Sequence, residues 1–378
     1  MHIVFITNEY PDKNSSHGGI GTFVQNLGRN LCLKGIEVSV IGIHKSINNV
    51  EVDNGVKVYR IQQSKAKFGK FLFNSYRIRK ALIDINKNKP IDIIEGSELS
   101  FAFLPNKTAY KKVIRMHGGH HFFAVTLGKK PALWRSFQEK KSFSKADALI
   151  AVSNYVGETT TKLLSLKKSY KTIYNFIDLN RFNTNTKIDI VENSIVFIGT
   201  ICEKKGVKEL VDAFEIVKEK VPNATLHLIG RDWKSNEIPS YISFLKKRIK
   251  ENILEDVKFY GSIPQDKIPS IIASAQICVY PSHMESFGLT VIEAMAMQKP
   301  IVFSNIPPFK ELIKDKVSGL ECNPFNSNDI ANKVIDLLIH PSKAITYSEN
   351  AEKEVNFKFN SEDIIQQNIQ FYNNLIEE

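Results

Sequence analysis

The stretch ICVYPSHMESFGLTVIEAMAMQKPIVFS, residues 277–304, has the pattern of a strand, a helix and a second strand. A short apolar run, ICVYP, is followed by a polar loop, an apolar helical pattern and a second apolar run, PIVFS. Short, near-continuous apolar strands around a helix are typical of a parallel sheet that is covered on both faces. The stretch therefore predicts an α/β fold.

The same alternation runs along the whole chain of 378 residues, which is too long for one ordinary domain. The first half opens with HIVFIT, the helical pattern GIGTFVQNLGRNLCLKG and EVSVIGI, and the second half with SIVFIGT, EKKGVKELVDAFEIVKEK and ATLHLIG. A polar stretch, NTNTKIDIVEN, interrupts the rhythm. We predict two doubly wound, Rossmann-like α/β domains in residues 1–182 and 194–358, with a linker in 183–193.

The composition favours a reduced, cytoplasmic globular protein. Hydrophobic residues make up 43% and charged residues 24% of the chain, and no apolar run reaches the ~18 residues that span a bilayer. The opening MHIVFITNEYP lacks the basic leader and cleavage site of a secretory signal. The four cysteines are scattered, without the spacing of a zinc site or a disulfide framework.

The net charge of +11 is concentrated in the first half of the chain, which carries +16, whereas residues 183–378 carry −5. A basic domain attracts an anionic partner such as a phosphate-bearing substrate or a membrane surface, although lysine-rich surfaces also occur simply because they are soluble. No nucleic-acid-binding module is recognisable, so we expect no nucleic-acid partner.

The loop and helix after ICVYP predict an anion site. Ser286 is a candidate N-cap, so the amides of Phe287, Gly288, Leu289 and Thr290 would be available to a diphosphate. Glu285 and Glu293 are eight positions apart, about 12 Å if both were helical. The spacing alone equally fits two exposed glutamates on an amphipathic helix.

Three other loops follow predicted strands, where ligands bind in such sheets. They carry Gly18 and Gly19 before a helix, His117 in RMHGGHHFF, and Lys205 before another helix. Glycine-rich turns and loop lysines are also common structural features. His120 and His121 have no acidic or cysteine partner at metal-site spacing, so we expect structural histidines and no metal.

ESFGLTVIEAMA resembles the E-x7-E motif of glycosyltransferase family 4, whose retaining enzymes have the GT-B fold. The resemblance extends to GGIGTFVQNLGRNLCLKGIEVSVIG, ALIAVSNYV, IYNFIDLNRF, VFIGTICEKKGVKELVDAF and FKELIKDKVSGLECNP. It implies two Rossmann-like domains facing across a cleft. SEDIIQQNIQFYNNLIEE resembles the family's last helix, so residues 359–378 are expected to pack back on the first domain.

The resemblance also implies roles for individual residues and no need for a metal or other cofactor. Glu285 would contact the hydroxyls of the donor sugar and His117 the sugar near its reacting carbon, while Glu293 would bind the ribose. The diphosphate would be held by Gly18, Gly19, Lys205 and the amides at Gly288 and Leu289.

One departure from the family pattern affects the leaving group. Thr200 stands where the family commonly has an arginine, a second cation for the diphosphate. Arg231, at the end of the next predicted strand in HLIGRDW, is our candidate replacement. The segments on the acceptor side match nothing specific, so the resemblance leaves the acceptor undefined.

The basic stretch KAKFGKFLFNSYRIRKAL, residues 65–82, mixes cations with Phe68, Phe71, Phe73 and Tyr76. This composition suits a helix on an anionic lipid surface, on the inner face of the cell membrane. The alternative is a helix with aromatic core positions and a solvated basic face.

The sequence thus predicts a retaining glycosyltransferase that uses a nucleotide-sugar, with UDP as the default base by family habit. The acceptor would be a glycan or a lipid-linked saccharide of a cell-surface polysaccharide. A nucleotide-sugar 2-epimerase of the same fold and a catalytically weak nucleotide-sugar-binding protein remain alternatives. A nicotinamide-dependent dehydrogenase is disfavoured because the dinucleotide fingerprint is missing.

Overall fold

The computed structural model describes residues 1–12, 18–66, 68–184 and 188–378. The chain forms two compact units, one of Met1–Phe176 with Glu362–Glu378 and one of Ile177–Ser361. The predicted linker 183–193 falls inside the second unit, and its residues 185–187 lie outside the described part. The Val191 amide donates to the Ser274 carbonyl (2.9 Å), which ties the end of this stretch to the second unit.

The first unit is built on a mostly parallel sheet in the order β3-β4-β2-β1-β5-β6-β7-β8. Among the strand pairs of the described residues in this unit, only β3 and β4 are antiparallel, and they form a hairpin. The strands are β1 His2–Ile6, β2 Glu37–His44, β3 Asn49–Asp53, β4 Val56–Gln62, β5 Ile93–Gly96, β6 Lys111–Met116, β7 Ala148–Ala151 and β8 Lys171–Thr172.

β1 is central because all five residues of HIVFI are buried, and it pairs in parallel with β2 and β5. The chain runs outward from β1 through β2 to β4 and then returns to β5 on the other side. This unit therefore has its topological switch point between β1 and β5, where ligands bind in doubly wound sheets.

Helices cover the sheet of the first unit. They are α1 Gly19–Leu33, α2 Lys70–Asn88, α3 His120–Thr126, α4 Leu133–Phe143, α5 Asn154–Leu164 and the last helix of the chain, Ser361–Glu377. The last helix is anchored in this unit because Arg115 of β6 donates to Asn368 Oδ1 (2.6 Å) and Tyr372 Oη (3.2 Å). The predicted return of the C-terminal helix to the first domain is confirmed.

The second unit has a parallel sheet in the order β11-β10-β9-β12-β13-β14. Its strands are β9 Ser194–Ile198, β10 Thr225–Ile229, β11 Val257–Gly261, β12 Ile277–Tyr280, β13 Ile301–Ser304 and β14 Leu320–Cys322. Its helices are α6 Val207–Lys220, α7 Tyr241–Lys246, α8 Ile268–Ser274, α9 Leu289–Ala296, α10 Pro307–Lys310, α11 Ser327–Ile339 and α12 Pro341–Lys358, with 3-10 turns at Glu203–Lys205, Glu251–Asp256 and Gln265–Lys267. The last helix of the first unit is α13 in chain order.

In the core of the second unit α6 packs against α11, and Phe197, Phe214 and Leu228 are fully or almost fully buried. β9 is flanked by β10 and β12, so the switch point lies between β9 and β12. The prediction of two doubly wound α/β domains is confirmed. No helix in the described residues combines the length and hydropathy needed to cross a membrane.

Candidate active site

The loops after β9 and β12 meet at the switch point of the second unit. The His283 amide donates to the Lys204 carbonyl (3.0 Å), which joins the two loops. Gly206 has φ +64°, and a Cβ there would lie 1.9 Å from the Pro281 carbonyl oxygen. A glycine is therefore required where the backbone of one loop touches the other.

Lys205 and Glu285, predicted as separate ligands of the donor, form an ion pair in this structure. Their side chains are only 20% and 15% exposed, and Ser282 Oγ donates to Glu285 Oε1 (3.1 Å). The structure thus pairs a cation with an acid, and a ligand could replace either side chain as the partner of the other. A diphosphate would have to displace Glu285 from Lys205, which would free the carboxylate to accept hydroxyl groups.

The prediction that Ser286 caps the helix is wrong. α9 begins at Leu289, and its N-cap is Gly288 with φ +118°. This left-handed conformation favours glycine, and a Cβ at Gly288 would lie 2.6 Å from Phe309 Cε1. Packing and backbone conformation therefore explain Gly288 without a ligand, and Glu285 lies in the loop rather than on the helix.

The main-chain amides that were predicted to bind a diphosphate therefore lie partly in the loop and partly in the helix. Leu289 and Thr290 are the first helical residues, so their N–H groups have no carbonyl partner within the helix. Phe287 precedes the helix, and its ring is buried edge-on against Phe359 (5.9 Å between centroids). The ring of Phe287 thus has a structural function, which is separate from the predicted binding of an anion by its amide.

Glu293 lies in α9 and is largely shielded from water. Burial raises its pKa to about 7, and the positive charge of Arg181 offsets part of this effect. Sequence reasoning did not select Arg181, which donates to Gln265 Oε1 (3.4 Å) and has no partner for its buried Nε among the described residues. An uncompensated acid and a partly unpaired guanidinium are typical of a site prepared for a polar ligand.

Glu293→Gln should stabilise the free protein at high pH. The pKa of Glu293 in the folded protein is higher than its unfolded value of 4.5, so ionisation of this carboxyl destabilises the fold. This loss of stability is absent below about pH 4.5 and is complete above pH 7. We expect a gain of at most roughly 3 kcal/mol at pH 8 and little gain at pH 4. Thermal unfolding at both pH values tests this. Glu237→Gln, at an exposed position of the same unit, should show no such dependence on pH.

Arg231 lies next to Thr200, as the sequence predicted for neighbouring strand ends. Its carbonyl accepts a hydrogen bond from the amide of Ile201 (2.9 Å), and its side chain is exposed. Within the described ranges no carboxylate pairs with its guanidinium. The side chain is therefore available to an anion, although its role stays a prediction.

If Arg231 supplies the second cation, Arg231→Ala should lower the turnover of a nucleotide-sugar about 10²-fold, because preorganised charge on a leaving group stabilises the transition state. Lys234→Ala removes a nearby exposed cation and should leave turnover almost unchanged. Near-normal turnover by the Arg231 variant would rule out this role.

His117 follows β6 in the first unit and is buried. Its amide donates to Glu98 Oε1 (2.6 Å), and its ring meets the edge of Phe23 (5.9 Å between centroids). Burial and the charge of Arg115 lower the pKa of the imidazole to about 3. The ring is therefore neutral at physiological pH and can act as a hydrogen-bonding group but not as a cation.

The neighbouring histidines have protein partners. His121 Nδ1 pairs with Glu139, and His120 Nε2 accepts a hydrogen bond from the Ala132 amide (2.8 Å). No group of three or more potential metal ligands occurs in the described part of the chain.

Gly18 is the N-cap of α1, which begins at Gly19, while residues 13–17 of the preceding loop lie outside the described part. A Cβ at Gly18 would lie 2.3 Å from Glu9 Oε2, and one at Gly21 would lie 1.7 Å from the Glu9 carbonyl oxygen. The glycines therefore allow the loop after β1 to pack against the helix start. Glu9, which sequence reasoning overlooked, lies beside the predicted anion site.

Two family models match the chain: "Glycosyltransferase Family 4" over residues 17–181 and "Glycosyl transferases group 1" over residues 181–354. The chain is a member of glycosyltransferase family 4. It is 25% identical to an N-acetyl-α-D-glucosaminyl L-malate synthase of Bacillus anthracis, with 93% of each chain covered. It is 24% identical to the capsular polysaccharide biosynthesis glycosyltransferase CapM of Staphylococcus aureus, with 69% of this chain and 67% of the relative covered.

Solved structures of similar fold include sucrose-phosphate synthase of Thermosynechococcus elongatus, with a TM-score of 0.83, 22% identity and coverage of 100% of this chain and 99% of that chain. Another is the Anabaena protein HepE, solved in complex with UDP and glucose, with a TM-score of 0.76, 19% identity and coverage of 99% and 100%. The resemblance to family 4 glycosyltransferases and their GT-B fold is confirmed.

Proposed function

We propose that this family 4 glycosyltransferase transfers a sugar from a UDP-sugar to a glycan or lipid-linked saccharide, with retention of anomeric configuration, in the synthesis of a cell-surface polysaccharide. The observation that carries the proposal is the Lys205–Glu285 pair at the switch point, together with the first amides of α9, which have no carbonyl partner within the helix. The structure of HepE in complex with UDP and glucose supports the donor, and the similarity to CapM, a glycosyltransferase of capsular polysaccharide biosynthesis, supports the pathway class.

The residues of the second unit would bind the nucleotide end of the donor. Lys205 and the amides of Gly288, Leu289 and Thr290 would hold the diphosphate, with Arg231 as the second cation. Glu293 would accept hydrogen bonds from the ribose. Because these charges are in place before the reaction, they would stabilise the departing diphosphate without a metal ion or other cofactor.

Two side chains would act on the transferred sugar. Once the diphosphate takes Lys205, Glu285 would become an acceptor for sugar hydroxyls. His117 would hydrogen-bond the sugar as a neutral imidazole, since its pKa of about 3 excludes the cation near neutral pH. Its place at the carboxyl end of β6 is where ligand groups bind in such a sheet.

Incubation with UDP-glucose, UDP-N-acetylglucosamine or GDP-mannose, each with and without EDTA, tests the proposal. We expect slow release of the nucleotide from a UDP-sugar, undiminished by EDTA, and transfer with retained configuration when an acceptor from a saccharide panel is added. Anomeric proton signals identify the configuration. Formation of a 2-epimer from donor alone would instead establish an epimerase, and tight binding without turnover of any donor would establish a binding protein.

We further propose that an exposed surface of the first unit contacts an anionic membrane. The aromatic side chains predicted in residues 65–82 are not core residues: Phe68 is 89%, Phe73 53% and Tyr76 66% exposed. They stand at the start of α2 among Lys65, Lys70, Arg77, Arg79 and Lys80, while Lys67 lies outside the described residues.

A second helix extends this surface. Phe71 of α2 contacts Trp134 of α4 (5.0 Å between centroids), and Trp134 stacks on Phe137 (5.7 Å). Lys141 lies over the Phe137 ring (5.5 Å), and Leu133 is 89% exposed. Adjacent apolar and cationic groups fit an interface of acyl chains and anionic headgroups.

Replacing Leu133, Trp134 and Phe137 by serine should abolish most binding to vesicles of phosphatidylglycerol and phosphatidylcholine. The reason is that apolar insertion and electrostatic attraction are both needed for stable binding to a surface. Co-sedimentation measures the bound fraction. Val50→Ser with Val52→Ser removes exposed apolar groups from β3 and should change nothing. Equal binding of the wild-type protein to pure phosphatidylcholine would contradict the proposal.

A further inference from the structure

The turn after β6 is held at both ends by buried carboxylates. Glu98, in the loop after β5, accepts the hydrogen bond from the His117 amide (2.6 Å). Glu139 of α4 accepts one from the His121 amide (3.0 Å) and also pairs with the His121 ring. Both acids are buried, and Glu139 is completely so. The first and last amides of the five-residue turn 117–121 are therefore bound by two different elements.

Gly119 lies between these two acids. A Cβ at this position would lie 1.9 Å from Glu139 Oε1 and 2.8 Å from Glu98 Cγ. The adjacent Gly118 has φ +90°, which also favours glycine. The two carboxylates thus explain Gly119 of RMHGGHHFF, and the left-handed backbone conformation explains Gly118.

Two buried acids close together are costly to the free protein. The pKa of Glu98 is raised to about 7, because burial and the nearby charge of Glu139 together outweigh the main-chain N–H groups of Glu98 itself, His117 and Gly118, which lower it. Glu139 Oε1 has no hydrogen-bond partner among the described residues. Apolar side chains would fill this space at a lower cost in desolvation free energy. The two acids are therefore better explained by the main-chain amides that they bind.

We propose that Glu98 and Glu139 are positioning residues for His117, which fix the main chain of the turn 117–121 so that the imidazole is presented to the donor sugar. We call the two carboxylates and the amides of His117 and His121 that they bind the clamp. The evidence for it is the hydrogen bonds described above. Its importance for turnover rests on the proposed function of His117. Neither acid is required to touch the substrate.

Amide hydrogen exchange of residues 117–121 tests the clamp without any ligand. Glu98→Ala should accelerate exchange of the His117 amide at least about tenfold, because the hydrogen bond to a buried acceptor is lost. Glu98→Gln retains an acceptor oxygen and should give a smaller acceleration. Glu139→Gln should act on the His121 amide, and it carries the test if Glu98→Ala does not fold. Glu158→Ala, at an exposed position of α5, is the control and should leave both amides unchanged.

Hydrolysis of UDP-glucose then tests the positioning role. We expect Glu98→Ala to lower kcat about 10- to 100-fold with KM changed less than twofold, and Glu98→Gln to recover at least about a third of kcat. Faster exchange with unchanged kcat would overturn the positioning role, and unchanged exchange in both Glu98 variants and in Glu139→Gln would overturn the clamp. If the wild-type protein hydrolysed none of the three nucleotide-sugars, the proposed function would fail and exchange alone would decide on the clamp.

Discussion

Lys205→Ala should lower the turnover of a UDP-sugar about 10²- to 10³-fold. Lys205 is the cation that Glu285 holds at the switch point of the second unit, and it is mostly shielded from water. A shielded charge beside a developing diphosphate stabilises the transition state far more than an exposed one does. The steady-state rate of nucleotide release measures the loss.

Lys204→Ala is the matched control, since Lys204 belongs to the same 3-10 turn and its side chain is exposed. It should change turnover less than about threefold. Binding of UDP should weaken only in the Lys205 variant. Equal losses in both variants would mean that the general positive charge of the turn, and not the pair with Glu285, attracts the donor.

Arg115→Met should destabilise the first unit by about 3–5 kcal/mol, because it leaves the buried Glu95 side chain without its cation. Arg115 Nε donates to Glu95 Oε1 (2.7 Å), and both side chains are at most 3% exposed. Tyr372 of α13 also donates to Glu95 (2.6 Å), so the loss should loosen the last helix as well. Urea denaturation of a Trp233→Phe background measures it, since Trp134 then reports on the first unit alone.

Arg115→Met combined with Glu95→Leu should recover much of this loss, because apolar residues of similar volume can replace a buried pair. Lys57→Met breaks an exposed pair with Glu37 on the same sheet and should cost less than about 1 kcal/mol. A cost that small for Arg115→Met would contradict this account, because the buried pair would then contribute no more than an exposed one.

Much of the fold could be predicted from the sequence because both sheets are largely parallel and their central strands are buried. Runs such as HIVFI and SIVFI are buried at every residue, so hydrophobicity alone identifies the strands and their alternation with helices. The boundary between the units was harder to predict. The polar stretch 183–193 reads as a linker, yet its end is held to the second unit by Val191, and polarity does not reveal such a backbone contact.

The sequence could predict that His117 and Lys205 lie in loops that follow strands, while their roles stay predictions. The prediction of a cap at Ser286 failed because side-chain chemistry favours serine, whereas the backbone conformation of Gly288 and its contact with Phe309 start the helix two residues later. Glu139 could not have been selected, because its partner His121 is eighteen positions away on another helix. Glu98, an acid just after β5, carried a positional signal that we did not use.

The most direct test of the central claim is thermal unfolding of the purified protein with UDP, GDP, ADP or NAD, each with and without magnesium. A ligand that binds only the folded state stabilises it by about 2.7 kcal/mol at a hundredfold excess over Kd. We predict a rise in the unfolding midpoint with UDP that does not depend on magnesium and is lost in Lys205→Ala. A nucleotide-sugar site at Lys205 and Glu285 would be contradicted if only NAD raised the unfolding midpoint, or if UDP, GDP and ADP all left it unchanged.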